Sequence, residues 1–162
     1  MTPKGRLLGV DFGDVRIGLA VSAAESAIAF PLAMYQRRDP ARDADYFCQL
    51  VAAEQIDWII VGLPIHLDGR EGPKACAARA FGQWLAEVTR LPVIFWDERF
   101  TTVEAEQALW SAGLTHKQRK QRRDKVAAQI LLQAYLDAGC PRTPEFGALE
   151  EAGREGSGGG EK

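Results

Sequence analysis

The sequence predicts an α/β domain built on a mixed five-stranded sheet flanked by helices, and three observations lead to that class. Three strand-like runs open the chain, RLLGVDF, IGLAVSA and AIAFPLAMYQR, the first two separated by the turn signal Gly13-Asp14. Two later runs, DWIIVGL and PVIFW, are apolar at successive positions, as strands covered on both faces are. Between and after them lie segments whose apolar residues recur at spacings of three and four. Strands that alternate with helices in this way become parallel neighbours through right-handed crossovers, while the opening hairpin stays antiparallel.

Each element has its own justification. The first strand carries Asp11, and the second follows it across the Gly13-Asp14 turn. The third run contains Pro31, which lacks a backbone donor and so assigns that strand to an edge or a bulge. Asp39 ahead of Pro40 is a helix start, and Phe47, Leu50, Val51 and Glu54 follow with helical spacing. DWIIVGL runs into the loop PIHLDGREG. From Pro73 to Thr89, residues Ala77, Phe81, Trp84, Leu85 and Val88 share a helical face, and Pro92 introduces PVIFW. In TTVEAEQALWSAG, Thr101 and Glu104 stand at capping-box spacing and Gly113 marks a stop. The last helix is expected to open at Asp124 as N-cap, to turn Ala127, Ile130, Leu131 and Ala134 inward, and to end at Gly139. Residues 1–139 then form the folded domain. Residues 140–162, rich in Gly, Pro and Glu, bury too little to offset their ordering entropy and are expected to be a disordered tail.

Composition narrows the chemistry. The 162 residues are 46% hydrophobic and 26% charged, which suits one domain with its own core. No apolar run approaches the roughly 18 residues needed to cross a bilayer, and the N-terminus enters a strand pattern without a signal-peptide region, so a cytoplasmic protein is expected. Cys48, Cys76 and Cys140 are widely spaced and in no CxxC pattern; reduced, mostly buried thiols are the expectation. The two histidines, His66 and His116, lie in neither a metal-ligand nor a nucleophile motif, so catalysis would rest on carboxylates. The formal net charge of −2 comes from residues 141–162, whose acids outnumber their bases by two. In contrast, THKQRKQRRDK gathers six cations around the single acid Asp124, a local basic strip.

Open sheets of this type bind ligands outside the carboxyl ends of their strands. Asp11 lies near one such end, Glu98 just beyond another, and Asp124 at the expected start of a helix. Three clustered carboxylates repel unless protonated or neutralised, and an oxygen-only donor set suits Mg²⁺ or Mn²⁺. Two such ions about 4 Å apart can activate a water and stabilise a leaving oxygen in phosphodiester hydrolysis. Taken singly, each acid also has a structural reading, Asp124 as a helix cap and Asp11 as a hairpin-end residue.

Four ordered motifs, GVDFGDVRIGLAVS, IIVGLPIHLDGREG, FWDERFTTVEA and RRDKVAAQILLQAYLD, resemble the YqgF/RuvX family of pre-16S rRNA nucleases. That family is related to Holliday-junction resolvases and has an RNase H-like fold, and the likeness spans about residues 6–139. The resemblance implies a metal-dependent nuclease with Mg²⁺ or Mn²⁺ at a two-ion site. It carries the family's proposed catalytic and metal-binding carboxylates onto Asp11, Glu98 and Asp124, with Asp97 as a neighbour that shapes the loop. It also implies a structured RNA substrate, pre-16S rRNA or the immature small ribosomal subunit, with branched DNA as the alternative.

The nucleic-acid contacts expected around these acids are Arg16, Arg99 and, in the basic strip, Arg119, Lys120, Arg122 and Arg123. Gly13 and Gly18 are explained equally by phosphate approach and by turn geometry. Trp58, Trp84, Trp96 and Trp110 fall in regular elements and are read as packing residues. Two rivals stand beside the nuclease. VDFGDVRIG also resembles the phosphate-binding hairpin of actin and sugar-kinase folds, which the length of one domain disfavours, and an RNase H-like domain can serve as a non-catalytic nucleic-acid-binding module.

Overall fold

A computed structural model describes residues 5–23, 26–66, 68–98, 115–140 and 148–152, with the backbone alone described for 116–125 and 148–152. The strands β1 (Arg6–Asp11) and β2 (Arg16–Ser22) form the expected antiparallel hairpin, and β3 (Ala29–Gln36) pairs antiparallel with β2. Pro31 lies on that outer strand next to a register shift between Leu19 and Ala20, where a missing donor is tolerated. Two crossovers follow, each through a helix. The helix α1 (Pro40–Ala53) leads to β4 (Ile56–Leu63), parallel to β1, and α2 (Pro73–Thr89) leads to β5 (Val93–Asp97), parallel to β4. Asp39 caps α1 by accepting the Arg42 N–H at 2.8 Å, with Pro40 at the first turn. The expected Thr101–Gly113 helix lies outside the described residues.

The final helix, α3 (His116–Asp137), departs from expectation at its start. Asp124 is not an N-cap but lies in the third turn, because Lys, Gln and Arg are good helix formers and nothing in HKQRKQRR breaks the helix. Of the inward residues predicted, Leu131 and Ala134 are buried, whereas Ala127 and Ile130 are only partly so and Ala128, Leu132 and Tyr135 complete the buried face. The C-terminus ends as expected, with Gly139 at φ +86° and the Cys140 N–H returning to the Tyr135 carbonyl.

The five expected strands form a mixed sheet in the order β3-β2-β1-β4-β5, and β6 (Ala148–Ala152) adds an antiparallel sixth to the edge of β5. Those five residues lie in the stretch expected to be wholly disordered. Backbone pairing on an open strand edge needs little side-chain hydrophobicity, and ALEEA supplies little. The cysteines are free, but Cys48 and Cys76 are exposed rather than buried.

Strand alternation divides the core in two. Leu8, Val10, Ile59, Val61, Val93 and Phe95 face α1 and α2, where Phe47, Phe81 and Leu85 close the layer. Leu7, Ile60, Ile94 and Trp96 face α3, which contributes Leu131, Leu132 and Tyr135. Asp11, two residues beyond Gly9, and Glu98, two beyond Trp96, continue the α3-facing rows.

Candidate active site

β4 lies between β1 and β5, and its register sets the site. Val10 pairs with Val61 and Trp96 with Gly62, so Gly62 stands between Asp11 on one side and Glu98 on the other. A side chain there would not fit. A Cβ built on Gly62 falls 2.5 Å from Glu98 Oε1 and 2.9 Å from a Leu131 methyl. The missing side chain is the space the Glu98 carboxylate occupies. The same emptiness lets α3 lie close: a Cβ on Gly9 would fall 2.8 Å from Leu132 Cβ, and one on Gly18 would touch both Ala128 and Asp11 at 3.5 Å.

Asp11 and Glu98 line a cleft of about 240 Å³ at the carboxyl ends of β1, β4 and β5. Its walls include the first turn (Phe12, Gly13, Asp14), Pro64 after β4, and Lys74 and Ala77 from the start of α2. Burial raises the Glu98 carboxyl to about 7, and the neighbouring charges of Asp11 and Asp97 push the same way. Asp97 itself is buried in the last position of β5, on the face opposite Glu98. The site therefore concentrates oxygen donors in partial burial, an arrangement that a hard divalent cation would neutralise.

The RuvX family profile, described as Holliday junction resolvase, matches residues 5–138. The chain belongs to this family. A relative from Rhodopirellula baltica named "Putative pre-16S rRNA nuclease" is 46% identical over 134 residues, covering 83% of this chain and 78% of the relative. One of the same name from Ruegeria sp. (strain TM1040) is 44% identical over 131 residues, covering 81% and 83%. Among solved structures, Thermus thermophilus RuvC in complex with a Holliday junction substrate aligns with a TM-score of 0.54 at 14% identity, over 83% of this chain and 94% of that one. A further Thermus thermophilus RuvC structure gives 0.51 at 16% identity, over 83% and 97%. At such identities the likeness establishes the fold, which is RNase H-like.

The remaining expected site residues divide by position. The α3 residues that cover the sheet run Leu132 over Gly9 and Ala128 over Gly18, the partner of Asp11. Asp124 lies one turn before Ala128 in α3, and its side chain lies outside the described residues. Arg119, Lys120, Arg122 and Arg123 belong to the same helix rather than to a loop, and their side chains also lie outside the described residues, as does Arg99. Arg16 is exposed at the start of β2 and is not among the residues lining the cleft. A Cβ on Gly13 would fall 2.4 Å from the Arg16 carbonyl oxygen, so the turn itself requires this glycine.

Two residues of the site were passed over in the sequence. Gly62 reads there as an ordinary member of an apolar strand, and only the pairing with β1 and β5 gives it a role. Lys74 reads as a helix-start lysine, yet the crossover sets it in the cleft with both acids. The DER and DFG motifs signal neither.

Proposed function

We propose that this chain is a divalent-metal-dependent nuclease that hydrolyses phosphodiester bonds in structured RNA, with pre-16S rRNA or the immature small ribosomal subunit as its substrate in the cytoplasm. The observation that carries this reading is the pairing of Asp11 and Glu98 across the side-chain-free Gly62, in a cleft open at the carboxyl ends of three parallel strands. The names of the relatives from Rhodopirellula baltica and Ruegeria supply the substrate.

Asp11, Glu98 and Asp124 would hold two Mg²⁺ or Mn²⁺ ions. Bound there, the ions would supply a water activated for attack and positive charge for the leaving oxygen. The chain's own residues do the rest. Gly62 keeps the carboxylates in one space, and the turn at Gly13 brings backbone close to the cleft without a side chain in the way. Lys74 adds a cation to the wall, suited to a phosphate oxygen.

The test is Mn²⁺ binding by calorimetry together with cleavage of precursor ribosomal RNA, for the unmodified chain and for Asp11→Asn, Glu98→Gln and Asp124→Asn. Each substitution is expected to lower cleavage by a factor on the order of a hundred or more, several kcal/mol of lost metal stabilisation. Asp and Asn have similar propensities in a helix interior, so a purely structural Asp124 would leave Asp124→Asn nearly silent. Full metal affinity and full cleavage in all three variants would end the assignment. A four-way DNA junction belongs in the same assay, because the family description names that substrate.

A further inference from the structure

Beside the acid cleft, and sharing Phe12, Asp14 and Ala77 with it, lies a second groove of about 450 Å³. Its floor is aromatic. Phe12 and Phe81 lie 4.8 Å apart, and Trp84, partly exposed on α2, lies 5.4 Å from Phe81. Its rim is cationic. The Arg37 guanidinium sits 5.0 Å over the Phe12 ring and 5.7 Å over Phe81, with Nη1 donating to the Asp14 carbonyl at 3.2 Å. Arg38 is exposed beside it, with its backbone N–H donating to the buried Asp43 carboxylate at 2.9 Å.

Among the described residues, neither arginine side chain forms an ion pair with a carboxylate, whereas Arg6, Arg42, Arg70 and Arg79 all do. Two cations free of carboxylate partners, above a floor of aromatic faces and next to a cluster of acids, do not resemble a packing defect. Asp43, the groove's one buried acid, is occupied by the Tyr35 hydroxyl at 2.6 Å and the Arg38 N–H. With Arg37 already over Phe12 and Phe81, the partly exposed ring is Trp84, and a nucleotide has the complementary form: a flat base for that ring and a phosphate for the arginines. A paired base cannot reach such a floor because its faces are stacked in the helix, whereas an unpaired one can.

We propose that this groove is a subsite for one unstacked base of the nucleic-acid strand, directly beside the scissile phosphate. The proposal rests on the nuclease reading for what enters the cleft. It adds a substrate requirement, an unpaired nucleotide next to the cleavage point, with Trp84 as the stacking residue and Arg38 as the phosphate contact.

The experiment measures binding by fluorescence anisotropy in the full chain carrying Asp11→Asn, with a short single-stranded oligoribonucleotide and with the same sequence fully paired. Trp84→Ala and Arg38→Ala are each expected to weaken single-strand binding roughly tenfold and to leave duplex binding within about twofold, with Trp84→Phe restoring most of the loss. Equal loss on both ligands, or no loss on either, overturns the subsite. Melting curves accompany each variant; should Trp84→Ala fail to fold, the exposed Arg38→Ala and the conservative Trp84→Phe decide. Cleavage by the chain with an intact Asp11 is measured separately. Selective binding without any cleavage would remove the nuclease reading and keep the subsite, while cleavage with no selective loss would do the reverse.

Discussion

The two faces of the sheet differ in where their strands carry glycine. Toward α1 and α2, β1 and β4 present Leu8, Val10, Ile59 and Val61, and the aromatic rings of Phe47 and Phe81 fill the layer. Toward α3, the same two strands present Gly9 and Gly62, and β2 adds Gly18. The first face is apolar at each of these positions; the second packs Trp96, Ile60 and Tyr135 but gives up side chains at its glycines, where a helix approaches the backbone and two carboxylates share a space. Both sides of the sheet therefore bury a core, and the candidate carboxylates stand on the side where strand glycines leave room for them.

Neighbouring positions of β4 break this contrast most directly. Ile59→Ala on the packed face is expected to cost about 2–5 kcal/mol through lost burial and a residual cavity, with no change in Mn²⁺ affinity per folded molecule. Gly62→Ala on the other face adds a single methyl and is expected to cost about 1–3 kcal/mol by overpacking against Leu131 and Glu98. It should also lower Mn²⁺ affinity. Chemical denaturation and calorimetry on both variants check the pair, and equal metal affinity in the two would erase the distinction between the faces.

A smaller effect sharpens the packed side. Burial, then the hydrogen bond to the Asp43 carboxylate, pushes the Tyr35 hydroxyl from 10.0 up to about 12. The fold keeps this proton where the unfolded chain loses it, so the associated stability is fully present below pH 10 and is lost as the pH rises toward 12. Tyr35→Phe should cost about 1–3 kcal/mol at neutral pH, because the buried Asp43 loses a donor, and should flatten the decline between pH 10 and 12. Denaturant melts across that range, compared with the unsubstituted chain, measure both.

The smallest expected change concerns the α3 side. If Arg119 and Arg123, one helical turn apart, contact phosphates, replacing each with Ala should reduce the log-log salt slope of RNA binding by roughly 0.7 to 0.9. An unchanged slope would put the phosphates elsewhere.

Local signals by themselves determined much of this protein. The Gly13-Asp14 turn, the Asp39-Pro40 helix start, the doubly apolar DWIIVGL and the Gly139 stop act within a few residues, and each produced its element. The acids Asp11 and Glu98 are visible at strand ends, but locally each also has a structural reading, and it was the four ordered motifs that grouped them as candidate site residues. The start of α3 was not legible: a cap residue and a helix-interior residue look alike when good helix formers precede them, so Asp124 read as a beginning. The sixth strand was hidden because pairing with β5 is made by backbone, which ALEEA does not advertise. Gly62, Lys74 and the groove under Arg37 were decided only by tertiary structure. Each gains its meaning from residues distant in the chain, brought beside it by strand register and by the crossover through α2, and no window of local sequence contains both partners.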